Sequence, residues 1–444
     1  MKTNKNNIFS SLRGFLMLWA SQSVSSIGTA MTEYALVVWS YSQTGSASSV
    51  TLLTLSTFLP TILFRFIAGA IADRWDKKRI MLLADVFAAC GTLVVLMLFL
   101  TASLKPVHLY IINVLLSLMN AFQVPAAYVA TGLLVPKEHY TRVGGLQTAS
   151  GALISILSPA LGGIILAWGG LGAVLITDLL TFAVALVTLV FIPIPKPEKQ
   201  EETKSEPFLK NCLSGVRYLK EHSRLFRLIL YMAAVNLLAK LGNDGLMSPF
   251  VLARTGGNET LLGLVQSSVA VGLMAGGTFI AARKKQSPDS VRAMVNGCIC
   301  IFLTGIGLAL SRTAAGWCLF AFLQYAFAAI MNAHWGNVMR THVPMELQGR
   351  VYSARDTLQN CLIPLGLFLG GILADNVFEP LMQSASPAVA GLRFAFGSGN
   401  GAGIAFQFFV MSFAGLVLSL LCRKGLCACE KERAETCAEQ KPIK

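Results

Sequence analysis

Apolar residues along this chain come in blocks of roughly 20 to 27, separated by short polar segments. About 20 consecutive apolar residues cross the hydrocarbon core of a bilayer, which is about 30 Å thick. The pattern therefore predicts an all-α integral membrane protein with twelve transmembrane helices. These spans are expected near residues 14–39, 48–72, 80–101, 107–134, 143–168, 171–193, 225–252, 260–282, 292–311, 315–339, 350–375 and 400–422.

The longest polar stretch lies between the sixth and seventh predicted spans, from Ile192 to Arg224. Apolar residues recur at helical spacing from Phe208 to Tyr218, which predicts an amphipathic helix on the inner membrane face. Its position divides the chain into two halves of six helices each. The predicted organisation is an N-terminal bundle at 1–193, a cytoplasmic linker at 194–224, a C-terminal bundle at 225–422 and a charged cytoplasmic tail at 423–444.

The two halves are weakly related in sequence. VPKEHYTRV begins at Val135 and VPMELQGRV begins at Val343, an offset of 208 residues. A Thr-Gly pair occurs at Thr44 and again at Thr255, and this offset of 211 places Glu33 over Asp244. Pseudo-symmetric six-helix bundles with a midplane substrate site are one architecture of secondary transporters.

Composition and charge placement narrow the class of protein further. With 54% hydrophobic and 13% charged residues and a mean hydropathy of +0.62, a soluble globular fold and a nucleic-acid partner are excluded. With the N-terminus inside, 30 of the 36 Lys and Arg residues lie in or beside inner segments and 4 lie outside. We therefore expect a multi-pass protein of the bacterial inner (plasma) membrane, with both termini cytoplasmic and the first block kept as a span.

Motifs for enzymatic chemistry are missing from the sequence. It contains no HExxH, no GxSxG and no GxxxxGK[ST], so we expect neither an enzyme nor ATP as the energy source. Cys427, Cys429 and Cys437 do not follow a zinc-site spacing, and no metal or other cofactor is predicted. We expect the chain to work as a monomer.

Five charged residues stand out among those within predicted spans, where a charge at the helix centre costs about 2.5–3.5 kcal/mol on insertion scales. They are Glu33, Arg65, Asp178, Lys240 and Asp244. Arg65 is a candidate ligand for an anionic group, or a partner for an acid. We interpret Asp178, near the outer interface, as a structural hydrogen-bond acceptor.

Polar residues on the first helix form one stripe. Gln22, Ser26, Thr29 and Glu33 follow at spacings of four, three and four, which places them on one helix face. That face is expected to line a polar cavity, together with Asn113 and Asn120 of the fourth helix. Glu33 is then the candidate proton-coupling acid that also attracts a cationic substrate. The alternative is that Glu33 extends to the outer surface or pairs with a lysine or arginine.

The seventh helix carries a second stripe. Asn236, Lys240 and Asp244 are spaced by four, so Lys240 and Asp244 are neighbours on the helix surface. Mutual neutralisation of this pair is the favoured interpretation. A second protonation site at Asp244 is the alternative.

The loop between the second and third helices has the sequence GAIADRWDKKR, from Gly69 to Arg79. It resembles the signature loop of the major facilitator superfamily, and Asp76 stands where that pattern has a glycine, as in the macrolide-efflux branch. The resemblance implies that the loop holds the two halves together on the cytoplasmic side. The residues that match are Gly69, Asp73, Arg74, Lys77 and Lys78. The alternative is a cluster of positive charge that only sets topology.

The fifth helix contains GLQTASGALISILSPALGG, which is similar to the antiporter motif of exporting members of that superfamily. Gly145, Pro159, Gly162 and Gly163 match, whereas Ile154 and Ser158 replace glycines. Small residues allow close helix approach, and the proline produces a bend. Ordinary packing between helices would explain the same residues.

The resemblance as a whole implies a secondary active transporter. The expected function is proton-coupled efflux of amphiphilic drugs such as macrolides by alternating access, so the partners are a small amphiphilic substrate, protons and the lipid bilayer. The alternatives are an exporter of a dedicated metabolite, such as a siderophore or a peptide-like natural product, and a lipid mover.

Overall fold

The computed structural model describes residues 5–135, 140–193, 217–282, 289–343, 348–384 and 389–439. Within these ranges the protein is all-α, and no strand occurs. In chain order the α-helices are α1 (Lys5–Thr44), α2 (Ala47–Arg74), α3 (Lys77–Leu100), α4 (Pro106–Leu134), α5 (Tyr140–Phe191), α6 (Ser223–Leu241), α7 (Asn243–Thr255), α8 (Glu259–Ala282), α9 (Ser290–Leu310), α10 (Ala314–His342), α11 (Gln348–Asn360), α12 (Ile363–Leu373), α13 (Glu379–Gln383), α14 (Ala390–Phe396) and α15 (Ala402–Glu439). A π-helix at Ala374–Phe378 joins α12 to α13.

The helices belong to two compact units. Unit 1 comprises Met1–Glu201 and Thr255–Ser267, and unit 2 comprises Glu202–Arg254 and Ser268–Lys444. Helix α8 is therefore shared, with its first residues in unit 1 and the remainder in unit 2. The domain boundaries expected from the sequence stay a prediction.

In unit 1, α1 packs along α5, and α4 packs against both α2 and α3. A buried apolar cluster includes Leu18, Met81 and Leu189. Large apolar residues on the same helices remain exposed, such as Leu100 at 68% and Leu180 at 64%. Backbone polar groups are satisfied within each helix, so such surfaces are suited to lipid.

Unit 2 packs α9 against α10 and α15, and packs α6 against α11, α12 and α15. Its core includes the fully buried Ile229, Met232 and Val295. Van der Waals contact holds such helices together, because lipid tails are as apolar as the side chains themselves.

The helix count agrees with twelve spans. Nine segments of the described residues are long and apolar enough to cross a membrane. One of them, Ser150–Phe191, has 42 residues and holds two spans, divided at Gly170, whose φ of 67° is favourable only for glycine. Helices α1 and α2, with 40 and 28 residues, are also long enough.

Two predicted spans are interrupted rather than continuous. The seventh is divided at Gly242, between α6 and α7, where the backbone leaves the helical region. The eleventh is divided between α11 and α12, ahead of Pro364, which occupies the first turn of α12. Beyond the last span, α15 continues to Glu439 instead of ending at the membrane. The amphipathic helix predicted at Phe208 to Tyr218 lies, except for its last two residues, outside the described residues.

Candidate substrate and proton site

Unit 1 contains a cavity of about 300 Å³ between α1, α2, α3, α4 and α5, which we call the acid cavity. It brings together every predicted residue of the polar stripe on α1 and both predicted asparagines of α4. These are Gln22, Ser26, Thr29, Glu33, Asn113 and Asn120. Three carboxylic side chains line it, those of Glu33, Asp85 and Asp178. Within the described part of the chain, no lysine, arginine or histidine lines it.

Glu33 lies in the C-terminal half of α1, and its side chain is exposed and lines the cavity. It interacts electrostatically with Asp178 across the cavity wall. Among the described residues it has no ion-pair partner, so the predicted alternative of pairing with a lysine or arginine is not seen there. A carboxylate in this position can attract a cation or take up a proton.

Asp178 lies on the second half of α5 and is 1% exposed. Its Oδ2 accepts hydrogen bonds from Thr32 Oγ1 at 3.0 Å and from Thr92 Oγ1 at 3.2 Å. The predicted role of Asp178 as a structural hydrogen-bond acceptor therefore applies to its Oδ2. The other oxygen, Oδ1, has no hydrogen-bond partner within the described residues.

Asp85, on α3, joins two glutamines from neighbouring helices. Gln22 Nε2 donates to its Oδ2 at 3.0 Å, and Gln123 Nε2 donates to its Oδ1 at 2.6 Å. Both glutamines also line a second cavity of about 340 Å³, which shares Ser26 and Asn120 with the first. Asp85 therefore positions the polar side chains at the boundary of the two cavities.

Unit 2 arranges its membrane charges differently. Lys240 Nζ forms an ion pair with Asp244 Oδ2, and Tyr325 donates to Asp244 Oδ1. We call these three residues the Lys240 cluster. Asn236 is turned away from it and donates to Asn360 Oδ1 at 3.3 Å. The predicted pairing of Lys240 with Asp244 is thus present, and Asn236 does not join them.

The helix break between Lys240 and Asp244 is held by a buried glutamine. Gln407 on α15 is 0% exposed, and its Nε2 donates to Leu241 O at 2.7 Å and to Gly370 O at 3.0 Å. A Cβ on Gly242 would lie 3.0 Å from the Cβ of Met411, so glycine permits the close approach of α15. The break therefore depends on contacts from a distant part of the chain.

The predicted signature loop is only partly described. Asp76 caps the N-terminus of α3 by accepting from Arg79 N at 3.0 Å, which gives the departure from the family glycine a local role. Lys78 Nζ donates to Val190 O and Ile192 O, both at 2.8 Å, at the end of α5. Lys77 is buried and donates to Trp75 O. The surroundings of four further predicted residues lie outside what the structure describes, namely those of Arg65, Gly69, Asp73 and Arg74.

The glycines of the fifth-helix motif lie at tight helix contacts within unit 1. A Cβ on Gly163 would lie 2.9 Å from Glu259 O, and a Cβ on Gly263 would lie 2.5 Å from Pro159 O. Tyr34 of α1 donates to the same Glu259 carbonyl. These residues therefore permit α1, α5 and the start of α8 to approach closely. The surroundings of Gly145 lie outside the described residues.

Sequence reasoning missed Asp85, Gln123, Tyr325 and Gln407 altogether. Asp85 and Gln407 are single polar residues within apolar runs, and they form no stripe with other polar residues of their helices. The signal that could have found them is the insertion cost of a lone polar group, which predicts a buried partner. It does not predict which helix supplies that partner.

The geometry of two helical units with a polar cavity agrees with comparisons to known proteins. The sequence profile of the Major Facilitator Superfamily matches residues 18–367. The chain belongs to this superfamily. It is therefore a transporter and not an enzyme, and a multi-pass membrane protein.

Relatives within the superfamily include efflux proteins. The chain is 25% identical over 370 residues to macrolide efflux protein A of Streptococcus pyogenes, covering 82% of this chain and 90% of that protein. It is 27% identical over 173 residues to the enterobactin exporter of Shigella flexneri, covering 39% and 41%. A bacterial homologue of the lysosomal transporter Spinster, solved in an inward-facing state, shares the fold with a TM-score of 0.64 at 15% identity, covering 94% and 97%.

Proposed function

We propose that this superfamily member exports cationic amphiphilic drugs, macrolides among them, in exchange for protons by alternating access. The observation that carries the proposal is the acid cavity, with three carboxylic side chains and no cationic side chain among its described lining residues. Such a cavity favours positively charged ligands over anions. Many macrolides carry a tertiary amine, which is protonated near neutral pH.

Glu33 is the group we assign to the exchange. Its side chain is exposed to the cavity, so a substrate ammonium and a proton compete for the same carboxylate. Gln22, Ser26, Thr29, Asn113 and Asn120 supply hydrogen-bonding groups around it. Competition of two cations for one carboxylate couples their movements without any direct contact between them.

An amphiphilic substrate also has an apolar part, which binds by packing against apolar side chains. The cavity wall also contains Leu36, Val95, Leu116 and Phe182. Ligand sites of this kind are mostly apolar with a few polar groups that fix orientation. We propose that this mixture of apolar and polar lining residues gives the cavity a broad substrate selectivity.

The test uses inside-out membrane vesicles with an imposed pH gradient, followed by a quenched dye. Macrolides, cationic dyes and neutral amphiphiles are added one at a time, to vesicles with and without the protein. Collapse of the gradient by macrolides, only when the protein is present, is the expected result. A gradient that no macrolide or cationic dye affects would refute drug–proton exchange.

A dedicated metabolite is the second candidate substrate, and the partial match to an enterobactin exporter is the observation that favours it. Siderophores of that class are anionic at neutral pH, so the carboxylates of the acid cavity would repel them. Export of a radiolabelled catecholate siderophore from cells, with no response to macrolides, would favour this candidate over the first.

We also propose that the protein resides in the bacterial plasma membrane with both termini cytoplasmic. The excess of Lys and Arg in the segments assigned to the inside supports this orientation. A protease site added after Lys444 is expected to be cut in inside-out vesicles and protected in intact spheroplasts. Cleavage in spheroplasts alone would reverse the orientation.

A further inference from the structure

Asp178 is a buried carboxylic group that the exchange at Glu33 does not use. It is 1% exposed and lines the acid cavity. Two threonine hydroxyls, from Thr32 on α1 and Thr92 on α3, donate to the same oxygen, Oδ2. The oxygen Oδ1 accepts no hydrogen bond from the described residues, although it is buried. The two oxygens of one carboxylic group therefore have different surroundings.

The space beside Oδ1 is bounded by a residue without a side chain. A Cβ on Gly28 of α1 would lie 2.9 Å from Asp178 Oδ1 and closer still to Thr181 Oγ1. Contacts under 3.0 Å are essentially absent for real Cβ atoms, so a larger residue at this position would displace the oxygen. Gly28 thus permits α1 to approach Oδ1 with bare backbone. Thr29, the next residue of α1, also interacts with Asp178, but its hydroxyl donates to Ser25 O at 3.2 Å.

Among the described residues that line the acid cavity with Asp178, every charged group is acidic. Glu33 lines the cavity from α1, and Asp85 lines it from α3. The described lining residues of α2 and α4, such as Thr57 and Asn113, are neutral. An ionised Asp178 would therefore keep a negative charge in a low-dielectric site without a cationic partner among the described lining residues, which is a costly arrangement.

We propose that Oδ1 of Asp178 binds a second exchangeable proton, in addition to the one that exchanges at Glu33. This inference rests on the proposed drug–proton exchange. The two hydroxyls already donate to Oδ2, so the added proton occupies Oδ1. Binding forms one O–H bond and neutralises the carboxylate, and release returns the proton to the cavity water. A proton is also small enough for the space that Gly28 leaves.

Substrate binding drives release of this second proton. Glu33 and Asp178 line the same cavity and interact electrostatically. Loss of the proton from Glu33 adds a negative charge to the cavity and the drug's ammonium group adds a positive one, so we place the ammonium group between the two carboxyl groups, where it stabilises the ionised form of both. A nearby positive charge favours the ionised form of a carboxylic group. One cationic drug is therefore exchanged for two protons, and the exchange carries net charge across the membrane.

The experiment counts protons released when a macrolide binds to the purified protein in weakly buffered detergent solution, with a pH-sensitive dye. We expect two protons per bound drug from the wild-type protein, one from Asp178→Asn and one from Glu33→Gln. Equal release from wild type and Asp178→Asn would overturn the inference while leaving drug–proton exchange intact. A wild-type protein that binds the drug and releases no proton would instead refute the proposed function.

Asp85→Asn makes the same chemical change at the third acid of the cavity and tests whether Asp85, in place of Asp178, holds the second proton. Both oxygens of Asp85 already accept hydrogen bonds from glutamines, so we expect the proton count to stay at the wild-type value even if the drug binds more weakly. A loss of one proton in this variant would move the second site from Asp178 to Asp85.

Thr92→Val covers the case in which Asp178→Asn does not fold. This substitution keeps the carboxylic group and nearly the same side-chain volume, and it removes one hydroxyl from Oδ2. The pH at which the second proton is released is expected to change, whereas the step assigned to Glu33 stays in place. A second release step that does not move would place that proton elsewhere. Replacing sodium by choline in the buffer should leave both counts unchanged, and a sodium requirement would also contradict proton binding at Oδ1.

Discussion

The acid cavity of unit 1 and the Lys240 cluster of unit 2 place acidic side chains in the membrane in opposite ways. In the acid cavity, Glu33 and Asp178 have no cationic partner among the described residues. In the Lys240 cluster, Asp244 forms an ion pair and also accepts a hydrogen bond from Tyr325. An acid without a cationic partner is available to protons and cationic ligands, whereas a paired acid mainly stabilises the fold.

The difference follows from one residue in each stripe. Glu33 has Thr29 one turn before it, whereas Asp244 has Lys240 in the corresponding place. A hydroxyl can donate a hydrogen bond but cannot neutralise a carboxylate, whereas an ammonium group does both. Two acids that the sequence repeat predicts to be equivalent in the two halves are therefore expected to differ in function.

The largest expected effect comes from Glu33→Gln. We expect a loss of at least about 10-fold in macrolide-driven proton movement, since the variant loses the carboxylate that holds the drug's ammonium group as well as one of the exchanging protons, so far fewer drug molecules complete the cycle. Thermal unfolding should be nearly unchanged, because the side chain of Glu33 is exposed to the cavity. The measurement is the vesicle assay above, paired with a thermal melt. Proton movement at the wild-type rate would remove Glu33 from the mechanism.

Breaking the ion pair of unit 2 should affect stability more than exchange. Lys240→Met leaves Asp244 without its cation, and Asp244→Asn leaves Lys240 without its anion. Each single variant is expected to lower the Tm in detergent, and the double variant to recover most of the loss, with a coupling free energy of about 1–3 kcal/mol. Additive losses in the double variant would mean that the pair contributes nothing to folding.

Gln407→Leu tests the helix break next to that ion pair. The substitution removes the amide donor from Leu241 O in a buried site, whereas Gly370 O keeps the hydrogen bond from Ala374 N. We expect destabilisation of about 1–3 kcal/mol, the cost of an unpaired buried polar group. Gln383→Leu, at an exposed glutamine at the end of α13, is the matched control and should leave the Tm in place. A Tm equal to that of wild type for Gln407→Leu would show that the break does not need this glutamine.

The smallest expected effect is that of Lys78→Met, in the first turn of α3. Lys78 donates to two carbonyls at the end of α5, where helix carbonyls otherwise lack partners. A half-exposed hydrogen bond of this kind stabilises by about 1 kcal/mol, so the Tm should fall by a few degrees at most. Proton movement is expected to slow less than in Glu33→Gln. A complete loss of transport with an unchanged Tm would assign Lys78 to the transport cycle itself.

The polar stripe of α1 shows what periodicity can predict. Gln22, Ser26, Thr29 and Glu33 were placed on one face from spacing alone, and all four line the acid cavity. Helix geometry determines this result, since residues three and four apart lie on one side. The pairing of Lys240 with Asp244 was predictable for the same reason.

Asp178 shows where that reasoning stops. Its partners, Thr32 and Thr92, are 146 and 86 residues away in the sequence. No spacing rule relates such positions, and the environment of Oδ1 also depends on Gly28 of another helix. The break at Gly242 was missed in the same way, because Gln407 and Met411 approach it from α15.

The sequence by itself determined that the chain is helical and membrane-spanning, that it has two related halves, and which face of α1 is polar. Those properties follow from local energetics, namely the cost of placing charge in lipid and the period of the helix. Only the tertiary structure decided which groups donate hydrogen bonds to Asp85 and Asp178, and that Glu33 has no cationic partner among the described residues. That outcome depends on groups from different helices meeting within hydrogen-bond distance, which is a consequence of packing.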